Sequence, residues 1–239
     1  VLFFVSAYMV YGIISQAHRE QDNFEQLKEI VKQPFLAFDP SQTQEPPETD
    51  DASSPYAALK EINQDFWGWI CIEGTELDYP VMHTPKKGEY YLRRDFDGKD
   101  SQSGVPSLSA SCYEGCGNYL IYGHNMKNGS MFASLHNFED QQVFEENPYF
   151  YIYTEDKTYV YEIFAAYKYN AIHLIYNFDL ANPEIFQNYL DQIFEVRDMS
   201  ANIRQDVTVN ADNRIVTLST CVSGEKNMRY LVQGVLLNE

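Results

Sequence analysis

Arg214-Ile-Val-Thr-Leu-Ser-Thr-Cys221, followed by Arg229 in Met228-Arg-Tyr-Leu-Val-Gln-Gly-Val-Leu236, is the stretch around which the chain is organised. From Ile215 to Leu218 it is β-branched and aliphatic without Gly or Pro, which predicts a buried strand. The strand ends in a cysteine just before Ser223-Gly224, so a rigid element holds the thiol and a loop exposes it. Alternation puts Ile215, Thr217, Ser219 and Cys221 on one face, and Val216, Leu218 and Thr220 on the other.

About a hundred residues upstream, Asn118-Tyr-Leu-Ile-Tyr-Gly-His-Asn-Met126 repeats the grammar, with an apolar strand running into a loop and a histidine at its end. A thiolate nucleophile needs a cationic or proton-accepting neighbour, and an acyl transition state needs a fixed donor for its oxyanion. Cys221, His124 and Arg229 would supply those parts. Each taken alone has a blander reading as a buried cysteine, a strand-end histidine or a surface ion-pair arginine; their conjunction favours catalysis. His18, His83, His136 and His173 sit in polar or loop contexts and are read as solvated.

These motifs resemble those of sortases, the cysteine transpeptidases that anchor surface proteins to the Gram-positive cell wall. Thr217-Leu-Ser-Thr-Cys221 matches the TLxTC signature, Tyr122-Gly-His-Asn-Met126 is similar to the histidine segment, and Arg229-Tyr-Leu-Val-Gln-Gly to the arginine strand. Phe66-Trp-Gly-Trp-Ile70, Leu77-Asp-Tyr-Pro-Val81 and the long insertion before the cysteine strand resemble class B in particular. Two departures stand out. Ser103-Gly-Val-Pro-Ser-Leu108 lacks the acidic residue that ends the comparable class B segment, and Ser223 stands where an Asp often follows the cysteine.

The resemblance implies a mainly β fold, an eight-stranded closed barrel with peripheral helices, one at the N-terminus and one in the insertion before the last strands. It implies Cys221 as nucleophile, His124 as general acid/base and Arg229 as oxyanion stabiliser, with Ser219, Thr220 and Ser223 as candidates for substrate contact. No cofactor and no metal are expected. The implied partners are surface proteins bearing a sorting motif of Asn-Pro type and an amine of a cell-wall precursor of the lipid II kind. A cysteine hydrolase using water as acceptor, and a non-catalytic wall-binding β-domain, are the alternatives.

Composition sets the outer bounds. The 239 residues are 44% hydrophobic and 15% aromatic, enough to bury one large core. A formal charge of −18 excludes nucleic acid as a partner and opposes lying flat on an anionic membrane. The four cysteines, 71, 112, 116 and 221, form no CxxC pair; Cys112 and Cys116 offer a disulfide, two metal ligands or simply two small loop residues, the last being the simplest reading.

Along the chain, the apolar run to Ile14 is shorter than the roughly 20 residues of a membrane span. It is expected to be the end of a truncated N-terminal anchor (residues 1–15), giving a bacterial cell-membrane protein with a single span and an extracellular catalytic domain. Residues 16–33 read as a juxtamembrane helix striped by Phe24, Leu27 and Val31, either packed on the domain or standing as a stalk. Residues 34–55 hold five prolines and five acidic residues with no Lys or Arg, an extended linker. The catalytic domain is expected over 56–239.

Within it, a helix is predicted from Tyr56 to Asp65, and strands at 69–72, 77–81, 90–92, 118–122, 149–154, 158–169, 206–210, 215–220 and 230–237. Pro80 points to an edge. Ser130 is expected to cap a helix carrying Met131, Leu135 and Phe138, and Asn182 with Pro183 to open another. Pattern alone fits a closed barrel as well as a sandwich.

Overall fold

The computed structural model describes residues 2–31, 54–171 and 182–237. Nine strands form one sheet: β1 (Phe66–Cys71), β2 (Asp78–Met82), β3 (Ser107–Leu108), β4 (Asn118–Tyr122), β5 (Tyr149–Tyr153), β6 (Thr158–Asn170), β7 (Asn202–Ile203), β8 (Ile215–Val222) and β9 (Glu225–Leu236). Their order is β5-β1-β2-β3-β4-β8-β9-β6, and β5 also pairs with β6, so eight strands close on themselves while β7 flanks β6. Closure removes the open edges that a sandwich would leave. The fold is therefore the mainly β, eight-stranded barrel expected.

Two features of register position the site. β4 and β8 are parallel neighbours, with Asn118 opposite Ile215 and Tyr122 opposite Ser219, so their C-terminal ends emerge side by side. β8 and β9 form an antiparallel hairpin in which Cys221 faces Arg229, with an irregularity just beyond Cys221. Side chains alternate along β8, yet Ile215 to Thr220 are all buried and Cys221 alone is exposed before the strand ends at Val222. Both faces of β8 are covered, by the barrel interior and by outer elements.

One outer element is α1 (Leu2–Ile30), a single helix through the expected anchor and juxtamembrane segments. Its second half packs on the domain. Phe24 and Leu27 are buried, Phe24 meets Tyr79 edge-on at 5.4 Å, and Lys28 pairs with Asp78 at 3.3 Å. The expected membrane localisation is corrected here: among the described residues no helix is long and apolar enough to cross a membrane. The apolar stretch ends at Ile14, and Arg19, Glu20 and Asp22 follow within the same helix, with Glu20 buried against the barrel. The expected membrane anchoring finds no support in the described helices either. The proline-rich segment lies outside the described residues apart from its last two positions.

α2 (Pro55–Ile62) opens on a Ser54 cap, its hydroxyl accepting from Tyr56 N. After β4 comes a 3-10 helix, Phe132–Glu139, and then α3 (Gln141–Glu146). Ser130 does not cap the 3-10 helix; it turns back and donates to Asn128 Oδ1 at 2.8 Å, while Met131 takes the cap position at φ 59°. That backbone is strained for a residue with a side chain. It is held by Tyr79 Oη, which accepts from Met131 N, and by burial of Met131 itself. In the insertion, α4 (Pro183–Phe194) starts at Asn182, whose side chain accepts from Glu184 N, and buries Phe186, Tyr189, Leu190 and Ile193.

Two expected strands are absent. Tyr90–Arg93 is a 3-10 turn, and 206–210 is an unpaired loop. Just before the latter, Arg204 makes the last contacts with β6: its backbone N donates to Phe164 O and its guanidinium to Ile163 O, with a further bond to Phe144 O, and the pairing ends there. Pro80 is opposite Trp69, but β2 has a ladder partner on its other flank only at Met82. The proline therefore stands in an edge-like part of a strand inside the barrel.

Candidate active site

The residues beyond β4 are stitched to β8. Gly123 N donates to Ser219 O at 3.1 Å, and Thr220 Oγ1 donates to Gly123 O at 2.9 Å. A Cβ on Gly123 would lie 2.3 Å from the Phe132 ring, so only glycine lets the chain pass under that ring into His124. His124 O then accepts from Phe132 N, and Asn125 forms a bridge with Met131. These contacts place His124 beside the end of β8.

His124 is half-buried, and its Nε2 lies 2.8 Å from Leu92 O. A carbonyl only accepts, so Nε2 carries a proton there and Nδ1 is left for proton exchange. Leu92 is backed by Gly104, where a Cβ would come within 2.7 Å of Leu92 O, at φ +60°. The loop before Gly104 is fastened by Glu20, which accepts from Gln102 N at 2.8 Å, from Ser103 N at 3.1 Å and from Ser103 Oγ. Burial alone would raise the Glu20 pKa, but these bonds and one from Gln16 outweigh it and hold the carboxyl below its usual range.

Cys221 is exposed, and its cross-strand partner Arg229 is half-buried. The guanidinium is held over the hairpin by its own backbone, donating through Nη1 to Met228 O at 2.9 Å and Lys226 O at 3.2 Å. Among the described residues no carboxylate pairs with it. Its charge is thus available beside the thiol, the arrangement an oxyanion needs.

The structure sets Cys221 opposite Arg229 and ties the segment that carries His124 to β8 through Gly123, and it places two further residues at the strand end. The carbonyl of Cys221 gathers Asn125 Nδ2 at 2.8 Å and His136 Nε2 at 3.0 Å. His136 is not simply solvated. Its ring stacks on Tyr230 with centroids 5.0 Å apart, and Nδ1 lies 2.8 Å from Glu139 Oε1. Asn125 was visible as the residue after His124, and His136 with Glu139 as a helical i,i+3 pair, but nothing in the sequence linked either to a backbone carbonyl a hundred residues away. His83 is also partly buried; burial lowers its pKa although its ring hydrogen bonds to the Cys112 backbone. His18 is exposed, and His173 lies outside the described residues.

Of the candidate substrate contacts, Ser219 and Thr220 are each 1% exposed and Ser223 is exposed in the hairpin turn. Thr220 spends its hydroxyl on Gly123, so neither buried serine nor threonine presents a polar atom at the surface.

The family description that matches is the sortase domain, over residues 70–237. The chain belongs to the sortase family. Its relatives are of class B: it is 31% identical to sortase B of Listeria monocytogenes over 76% of this chain and 73% of that one. It is 30% identical to sortase B of Staphylococcus aureus over 70% of this chain and 67% of that one. The crystal structure of Clostridium perfringens sortase B superposes with a TM-score of 0.68 at 32% identity, covering 76% of this chain and 99% of that one. This sortase is a cysteine transpeptidase that cleaves sorting motifs. The hydrolase alternative finds no support in these relatives.

Proposed function

We propose that this sortase cuts a C-terminal sorting motif in secreted surface proteins through a thioester on Cys221, and transfers the acyl group to an amine of a peptidoglycan precursor. The supporting observation is the end of the barrel at which β4 and β8 finish and β9 begins, where Cys221 faces Arg229 across one ladder and the His124 segment is bonded to Ser219 and Thr220 along the other.

In this mechanism the Cys221 thiolate attacks the scissile carbonyl, and Arg229 neutralises the tetrahedral oxyanion. As the C–N bond breaks, His124 delivers a proton from Nδ1 to the departing amine, leaving a thioester. The incoming amine loses a proton to the same Nδ1 as it attacks, and the thiolate leaves. Asn125 and His136 hold the Cys221 carbonyl, which fixes the strand end that carries the nucleophile; they position and do not react. The catalytic unit is residues 56–239, with α1 docked against it.

Product analysis tests this reading. An Asn-Pro-type sorting peptide, incubated with the enzyme and a peptide amine, is expected to give a ligated product that replaces the hydrolysed one as amine rises. Hydrolysis alone at saturating amine would contradict transfer and favour water as the acceptor.

A further inference from the structure

A second thiol site lies away from the transpeptidase centre, in the turn that leads into β4. Cys112 N donates to Ser109 O and Cys116 N to Tyr113 O, and Gly115, at φ +81°, turns the chain between them. Both side chains converge on one acceptor: Cys116 Sγ is 3.3 Å, and Cys112 Sγ 3.9 Å, from Asn118 O. Leu120 N donates to Cys112 Sγ at 3.4 Å. Both cysteines are buried, whereas Tyr113, Glu114 and Gly115 between them are exposed. The pair therefore sits just under an exposed turn. Among the described residues no group of three or more His, Cys, Asp or Glu side chains is placed to hold a metal. Two sulfurs alone do not make a structural zinc site.

We propose that Cys112 and Cys116 are a redox-active dithiol that closes to a disulfide by exchange with a disulfide-bearing oxidant. The Cys116 thiolate attacks one sulfur of the oxidant, whose S–S bond breaks and releases a thiolate. The Cys112 thiolate then attacks the Cys116 sulfur of the mixed disulfide and expels the second thiolate. Two thiol protons leave the chain, one disulfide forms, and the oxidant is reduced to two thiols. The order agrees with the electrostatics of two sulfurs gathered at Asn118 O, where one thiol can donate to the other once that one ionises: this holds the Cys116 thiol's pKa down and the Cys112 thiol's up, so that Cys116 ionises first. Closure withdraws both sulfur donors from Asn118 O, at the start of the strand that leads to His124. The other two cysteines are set apart: Cys71 is buried in β1 with its pKa pushed up to about 12, and Cys221 is exposed at the active site.

The test uses the full chain carrying Cys221→Ala, which leaves three of the four cysteines. The reduced, folded protein is incubated with glutathione disulfide, quenched in acid, and its remaining thiols are alkylated in denaturant. Loss of two alkylatable thiols, an intact mass lower by two hydrogens, and a linked Cys112/Cys116 peptide are expected. With Cys112→Ser added, a glutathione adduct should persist on Cys116. Three alkylatable thiols after incubation, or a persistent adduct while Cys112 is present, would overturn the proposal. So would an oxidised protein that melts below the reduced one, because closure would then be forcing the turn out of its native shape.

Discussion

β8 passes through two unlike environments within its length. At its root, polar side chains are buried and mutually satisfied. Thr217 Oγ1 donates to Asn118 Oδ1 at 2.9 Å, Gln233 Nε2 donates to Thr217 Oγ1 and Tyr189 Oη at 2.8 Å each, and Tyr167 Oη donates to Gln233 Oε1 at 2.9 Å. At its tip the bonds run through backbone, with Asn125 and His136 on the Cys221 carbonyl and Thr220 on that of Gly123. There the Cys221 thiol is exposed, and the buried hydroxyls of Ser219 and Tyr230 find no partner among the described residues. The contrast separates two tasks. A closed network at the root fixes how β4, β8, β9 and α4 pack, and an open tip keeps its reactive groups for substrate.

If the tasks are separate, damage at the tip should cost turnover and damage at the root should cost stability. The largest effect is expected from Arg229→Ala, with kcat/KM lower by about 10²- to 10³-fold and an unchanged melting temperature. A large loss of stability in this variant would break the division. Next comes Gln233→Leu, which takes one hydrogen-bond partner each from Thr217, Tyr167 and Tyr189. It should lose about 3 kcal/mol and melt about 10 °C lower, while turnover per folded molecule is retained.

His136→Phe keeps the stacking on Tyr230 but removes the bond to the Cys221 carbonyl. A fall in kcat of about tenfold with KM little changed is expected; a change in KM alone would assign His136 to binding instead.

The smallest effect concerns the outer support of His124. Because the folded Glu20 pKa is depressed, its contribution to docking α1 is present above the ordinary carboxylate range and is lost as pH falls through the lowered value. Gln102 and Ser103 amides should lose exchange protection in that acid window. The Glu20→Gln variant should show no such step and lose about two- to threefold in kcat. A step that persists in the variant would place the titration elsewhere.

Much of the barrel was legible because β-branched or aromatic runs with turn residues at their ends carry local signals, as at Ile215–Val222 and Tyr149–Tyr153. The Asn182-Pro183 start of α4 was legible for the same reason, since a cap and its proline are neighbours in sequence. Local pattern misread Tyr90–Arg93, where an aromatic run makes a 3-10 turn, and 206–210, where alternation exists without a partner strand. The docking of Glu20 on residues 102–103 and of His136 on Cys221 was hidden, because each joins a side chain to backbone far along the chain. Cys221, His124 and Arg229 could be picked out from their motifs, but only the registers of β4 with β8 and of β8 with β9 show how their segments come to lie at one end of the barrel.

The central claim is that the exposed thiol at the tip of β8 forms the acyl-enzyme. Intact-mass measurement of the full chain with a panel of sorting peptides, with and without a peptide amine, tests it most directly. One acyl adduct that maps to Cys221, is absent in Cys221→Ala and clears faster with amine is predicted. Peptide cleavage that persists in Cys221→Ala, or an adduct mapping to another residue, would contradict it.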